Sequence, residues 1–380
     1  MRGSRRALLA GCATAGVASL GLLAAPGARA PGASAPAPTV TFSITDTRGA
    51  TGAPSSTFFS IFPACGCTGH TVIGQFSRRT GQLVRVLGTI RTDGQISTAA
   101  TDARGGLWLT FTAGPALAAP PVAGGGPEPG TCSGALVRFD LRSGAVRTVT
   151  RFPRWVIVGK AVPSPDGRRV ALLEGACATA YFNQHIVLLD LRGGGQIGIG
   201  ADATACHSLP GVAWSRDGAR LVFPYGPSNL PRDASFVPNG TCLMPRPNRL
   251  AVASALGPSG VGSWTLSEAE RGCSYQSAAF DRAGIVASEA CSRGARVGPA
   301  YLVAFDRRGR RVAKWPLQIG YEDGDVVRDP ATGQVLVSED QAANIGVTSH
   351  DWVWELDGRR LRLVGRYRAA DAAVVLAQPW

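Results

Sequence analysis

The amino-acid sequence predicts an all-β fold, a β-propeller of about six four-stranded blades behind an N-terminal export signal. Three observations carry this. Two kinds of short turn-and-strand unit recur at blade-like spacing. No stretch after Pro38 carries a sustained helical apolar stripe. Eight of the nine cysteines lie outside the N-terminal segment.

The first unit is an apolar run, then Asp or Ser, then a Gly soon after. It occurs at Val72–Ser77 with Gly81, Leu136–Asp140 with Gly144, Ile186–Asp190 with Gly193, Leu302–Asp306 with Gly309, and Trp352–Asp357 with Gly358. Alternation resumes after the glycine, as in Val146–Val149 and Leu361–Val364. Two period-2 runs joined by an Asp/Gly break mark a β-hairpin.

The second unit interleaves with the first. Ser164-Pro165-Asp166-Gly167 leads into Arg169–Leu173, and Ser215-Arg216-Asp217-Gly218 into Arg220–Phe223. Looser copies begin at Asp102, Asp281 and Asp329. Asp bonds its own backbone and Gly takes positive φ, so each is a turn with a mechanism. The five aspartates are 64, 51, 64 and 48 residues apart, room for four short strands and their loops.

The stretch Ser164–Ala171 resembles the repeat of the propeller domain in the Tol-system translocation protein B and its WD-like relatives. The resemblance implies that the S-P-D-G turn joins the innermost strand of a blade to the next. It is silent on ligand, because propellers host many functions.

In this register five blades run over 96–151, 155–199, 208–266, 273–316 and 322–367. The C-terminal run Ala372–Ala377 supplies an innermost strand, and Thr57–Phe62, Val72–Phe76 and Leu83–Leu87 supply the rest of its sheet. Such closure removes open strand edges. Thr39–Thr45 is left as an added outer strand or part of a seventh blade.

Residues 1–30 read as a signal: Arg2, Arg5 and Arg6 precede an uncharged run, and Ala28-Arg29-Ala30 fits the cleavage pattern. Ser4–Leu9 resembles a twin-arginine signal. Pro31 disfavours cleavage, so an uncleaved membrane anchor is the alternative. Cys12 reads as an apolar residue of the signal. Residues 31–38 form a Pro/Ala-rich tether, and 39–380 the propeller.

The net charge is +13, and Arg2, Arg5, Arg6 and Arg29 belong to the signal. The other arginines are dispersed, which argues against nucleic acid as a partner. Lys160 and Lys314 are the only lysines, a bias that reads as a GC-rich, actinobacterial-type genome.

An even cysteine count outside the signal predicts disulfides in an oxidising compartment. In the blade register all eight (Cys65, Cys67, Cys132, Cys177, Cys206, Cys242, Cys273 and Cys291) fall on the face of the second–third strand loops. Equivalent positions pair Cys177 with Cys206 and Cys242 with Cys273, each stabilising by about 3–4 kcal/mol. Cys65, Cys67, Cys132 and Cys291 stay unassigned. The long Gly/Pro-rich insertions 113–133, 175–184, 225–248 and 290–299 share that face, as a binding surface would.

Glu174, Glu289, Glu339 and Asp340 follow second strands and are expected to ring the channel mouth. His207 and His350, with Tyr181 and Asn183, lie in loops on that side. Such a ring could hold a divalent cation or a basic ligand, the one cofactor reading the sequence offers. Carboxylates at strand ends more often pair with arginine. No metalloprotease, nucleophile-elbow or phosphate-loop pattern occurs. Trp108, Trp155, Trp214, Trp264, Trp315, Trp352 and Trp354 recur at blade spacing and read as inter-sheet core. The expectation is therefore a monomeric, exported, non-enzymatic binding module for a protein, peptide or envelope ligand. A propeller lyase or hydrolase with an acidic, cation-dependent mouth is the alternative.

Overall fold

The Ser-x-Asp-Gly turns are built from their own side chains. Ser164 Oγ donates to Asp166 Oδ1 at 2.6 Å and accepts from the Arg169 amide at 2.9 Å, while Asp166 Oδ1 accepts from the Arg168 amide. Ser215, Asp217, Ala219 and Arg220 repeat the arrangement. Turns of the other kind are also closed by aspartate. Asp190 Oδ1 accepts from the Arg192 amide, and Asp306 Oδ1 from the amides of Arg308 and Arg310. Side-chain capping of this sort gives the backbone groups at a reversal their partners.

In the computed structural model the described residues are 40–44, 57–63, 70–92, 95–102, 106–113, 133–140, 143, 145–153, 156–176, 185–199, 209–226, 248–255, 263–293, 296–317, 325–328, 334–340, 350–368 and 375–376. Every regular element among them is a β-strand. Five four-stranded antiparallel sheets follow one another along the chain, as blades of a β-propeller. We number the sheets II to VI. Sheet II takes β5 (Gln95–Thr101), β6 (Gly106–Ala113), β7 (Ser133–Asp140) and β8 (Val146–Phe152). Sheet III takes β9 (Val156–Pro163), β10 (Arg169–Ala176), β11 (His185–Asp190) and β12 (Gln196–Ile199). Sheet IV takes β13 (Ala213–Trp214), β14 (Arg220–Tyr225), β15 (Arg249–Ser254) and β16 (Ser263–Glu268). Sheet V takes β17 (Cys273–Phe280), β18 (Gly284–Arg293), β19 (Arg296–Asp306) and β20 (Arg311–Pro316). Sheet VI takes β21 (Val326–Arg328), β22 (Val335–Asp340), β23 (His350–Asp357) and β24 (Arg360–Arg368).

Sheet I draws on both ends of the chain. It contains β1 (Val40–Ile44), β2 (Thr57–Pro63), β3 (His70–Ser77), β4 (Leu83–Thr92) and β25 (Val375–Leu376), in the order β1-β4-β3-β2-β25. β25 pairs with β2 through Ser60↔Leu376 and Ile61↔Val375, and β1 adds an outer strand on β4.

Neighbouring sheets are held by apolar faces and by indole and guanidinium donors that reach the next sheet's backbone. Val162, Ala171, Leu173 and Ile186 of sheet III share a core with Trp214, Leu221 and Phe223 of sheet IV. Trp214 Nε1 donates to Val162 O at 2.8 Å, and the Arg169 guanidinium lies 5.3 Å over the Trp214 ring. Trp108 and Leu136 of sheet II pack with Val158, Ala161 and Leu172 of sheet III. Trp315 Nε1 donates to Arg359 O, tying sheet V to sheet VI.

Sheet VI is tied to sheet I in the same way. Arg362 Nη2 donates to Arg78 O at 2.9 Å, and Arg78 Nη1 to Gln334 Oε1 at 3.0 Å. Gly81 and Gly309 occupy matching places in the third–fourth turns of sheets I and V. At φ +69°, a Cβ on Gly81 would sit 2.2 Å from Val364 O of sheet VI; at φ +79°, one on Gly309 would sit 2.1 Å from Leu266 O of sheet IV. Each turn thus presses its backbone onto the last strand of the sheet beside it.

One expected insertion is absent. Residues 290–299 are not a loop: β18 runs to Arg293 and β19 starts at Arg296, paired Arg293↔Arg296. In sheets II, III, IV and VI the second–third connections span residues 114–132, 177–184, 226–248 and 341–349 between strands.

Candidate functional site

The three glutamates singled out by the sequence occupy matching places on second strands. Glu174, Glu289 and Glu339 are 8%, 1% and 2% exposed. A second strand shows its faces to the adjacent sheets, and only the innermost strand borders the axis. β10 and β18 also continue past their glutamates. Glu289 Oε1 accepts from Arg311 Nη2 at 2.7 Å, and Lys314 Nζ lies 3.7 Å from Oε2, both partners on β20 of the same sheet. Glu339 Oε2 accepts from Trp354 Nε1 on β23. Glu174 lies 3.7 Å from His185 Nε2 on β11, and burial raises its carboxyl pKa. Each glutamate is engaged within its own sheet, and no metal-type group of three or more among the described residues contains more than one of them.

The expected Cys242–Cys273 bridge is also corrected. Cys273 is bonded to Cys291, S–S 2.07 Å. The two are directly opposed across β17 and β18, with Cα atoms 3.9 Å apart, and register rather than blade equivalence selects the partner. Cys65, Cys67, Cys132, Cys177, Cys206 and Cys242 lie outside the described residues, as do His207, Tyr181 and Asn183. Asp340 ends β22 and His350 opens β23.

Among the described residues, one group of three metal-type donors comes together: Cys273, Glu289 and Cys291, with ligand atoms within 4.8 Å. It does not fit an ion. The sulfurs are bonded to each other, and Glu289 faces two cationic side chains. Thiolates, not a disulfide, are the metal ligands cysteine offers.

Sequence reasoning missed a polar group on the innermost strands. Lys160 on β9 is 7% exposed and pairs with Asp325, the residue before β21. Sheets III and VI are not chain neighbours, since IV and V intervene. The lysine therefore reaches across the axis side of the blades. It passes Gly211, where a Cβ would lie 3.7 Å from Nζ and 3.4 Å from Ser277 Oγ. Around it, serines serve main-chain amides. Ser277 Oγ accepts from the Val326 amide at 3.0 Å, Ser338 Oγ from the Asp325 amide at 3.2 Å, and Ser288 Oγ from the Ser277 amide at 3.1 Å. With these lone pairs engaged by amides, the cluster works as an ionic and hydrogen-bonded brace between innermost strands. One signal pointed to it: a chain with 39 Lys and Arg residues uses lysine only at 160 and 314, and both oppose carboxylates.

No family model matches the chain, and no curated protein matches it. Solved structures with a similar fold include regucalcin from Agrobacterium tumefaciens, at 10% identity over 83% of this chain and 94% of that one, TM-score 0.46. The WD40 domain of Toxoplasma gondii coronin aligns at 13% identity over 87% and 76%, TM-score 0.43. Prolyl oligopeptidase B from Galerina marginata aligns at 10% over 86% of this chain and 44% of that one, TM-score 0.45. All three TM-scores are below 0.5, and nothing about this chain is argued from them.

Proposed function

We propose that the chain is an exported, six-bladed propeller of the WD-like, TolB type whose sixth blade is sheet I, and that it works as a binding module. Its partner is a protein, peptide or envelope ligand docking on the face of the second–third connections. The observation that carries this reading is the asymmetry of the connections. On one end of the sheets residues 114–132 and 226–248 join second to third strands, whereas the opposite end has turns as short as Asp281–Gly284 and Asp357–Arg360. Binding residues concentrate on long connections held by a rigid scaffold. The cation-dependent enzyme is the weaker reading, because the acids it needs are engaged in their own sheets.

The test places a photo-crosslinking residue in turn within 114–132, within 226–248, and at Arg168 or Arg216 on the opposite end, in the full chain incubated with cell-envelope fractions. Adducts from the long connections alone are expected. Equal labelling from Arg168 and Arg216 would overturn the reading. So would a melting temperature raised by calcium or manganese and restored to its metal-free value in Glu289→Gln.

A further inference from the structure

On the short-turn end, a cavity of about 560 Å³ opens between sheets IV and V, with Arg328 of sheet VI at its edge. Its volume lies in the range of small-molecule sites, about 300–1,000 Å³. The walls are apolar: Val252 and Leu266 from sheet IV face Phe280 and Ile285 from sheet V. The rim is basic, formed by Arg216, Arg220, Arg282, Arg307 and Arg328 against two carboxylates, Asp217 and Asp281.

Both carboxylates are already engaged, Asp281 by a cation of the rim itself. Asp217 accepts from Ser215 Oγ and the Ala219 amide, which lower its pKa, and Asp281 Oδ1 lies 3.9 Å from Arg328 Nε. Arg220 lies 5.5 Å over the Phe280 ring, fixing one guanidinium at the apolar wall. Arg216 and Arg307 line the cavity, are exposed, and make no side-chain hydrogen bond or ion pair among the described residues. The corresponding space between sheets II and III, about 510 Å³, makes an internal comparison. There Arg138, Arg147, Arg168 and Arg192 meet Asp102, Asp166 and Asp190, and charge nearly balances.

We propose that the cavity between sheets IV and V binds a small organic phosphate. The phosphoryl group sits at Arg216 and Arg307 and the apolar body rests on Phe280 and Ile285. Guanidinium forks match oxyanions bidentately, and an excess of three positive charges suits a dianion with three terminal oxygens better than a carboxylate with two. The site lies at the opposite end of the sheets from the long connections, so it stands or falls independently of the docking proposal.

Titration calorimetry on the full chain at low salt tests this with phenyl phosphate, inorganic phosphate and phenylacetate. Saturable binding of one phenyl phosphate is expected, at least tenfold tighter than either of the others. The double variant Arg216→Ala/Arg307→Ala should weaken it at least tenfold with an unchanged melting temperature, since both residues are exposed. Arg147→Ala/Arg192→Ala, at the other space, should leave it intact. Equal weakening by both double variants would mean diffuse attraction to a basic surface and overturn the proposal. Phenyl phosphate binding no tighter than inorganic phosphate, or no saturable binding, would also overturn it.

Discussion

Removing Asp325 should cost far more than removing Lys160, although the two form one ion pair. The lysine side chain is 9% exposed and the aspartate 28%. Asp325→Ala strands an ammonium that is nine-tenths buried, and loss of one partner from a buried pair costs about 3–5 kcal/mol. Lys160→Met leaves a carboxylate that water already reaches and keeps most of the apolar stem, so the loss is about 1 kcal/mol. The double variant should recover much of the Asp325→Ala loss, because no charge is then stranded. Urea unfolding followed by tryptophan fluorescence reads the difference. At a slope of about 3 kcal/mol/M, Asp325→Ala lowers the midpoint by about 1 M. Equal costs for the single variants, or a double variant at the sum of both, would refute the reasoning.

Other substitutions probe the rest of the frame. At Asp102, burial pushes the pKa up, but donors from Arg138, the Gly106 amide and Trp108 outweigh it and hold the carboxyl below its ordinary value. A depressed folded pKa contributes stability above the unfolded value of about 4, lost as pH falls through the folded one. Asp102→Asn should therefore flatten the acid limb of the stability curve while costing about 2–3 kcal/mol at neutral pH, measured by denaturant melts across pH. Replacing both Cys273 and Cys291 by serine should cost about 3 kcal/mol for a loop of this length, and peptide mapping without reduction should recover them joined. A Cys242–Cys273 peptide would contradict the register. Gly309→Ala and Gly81→Ala add a clash with a neighbouring sheet to the strain of positive φ, whereas Gly358, at φ +60°, has open space around it. Gly358→Ala should cost about 1 kcal/mol and the other two at least twice that in thermal melts.

What the sequence made legible was local. The turns at Ser164 and Ser215 contain all the atoms that close them, so their chemistry is readable in five or six consecutive residues. The alternation beyond each turn then placed the starts of β10 and β14 at Arg169 and Arg220, where they lie. Cys273 was misassigned because its partner is chosen by the pairing of β17 with β18, which leaves no mark in the sequence around it. The burial of the glutamates against partners in their own sheets was unreadable for a related reason. Bulges between Leu173 and Glu174, and between Tyr275 and Ser277, shift the pairing of the innermost strands with their neighbours, and strand ends outran the apolar pattern. Lys160 went unread because its partner is 165 residues away, and no periodicity links positions on non-adjacent sheets.

The pairing of β25 with β2 has a consequence in time as well as space. β2 ends at Pro63, and its inner neighbour is the dipeptide Val375–Leu376. At about 5–20 residues per second, roughly 300 intervening residues take on the order of 15–60 s to emerge. Throughout that interval the inner edge of β2 has bare amides and carbonyls and no native partner, the condition that recruits other strands. Synthesis order therefore gives the first sheet to begin the latest date of completion. A chain halted before Val375 should carry sheets II to VI and an unfinished sheet I, with an adhesive edge where β25 belongs.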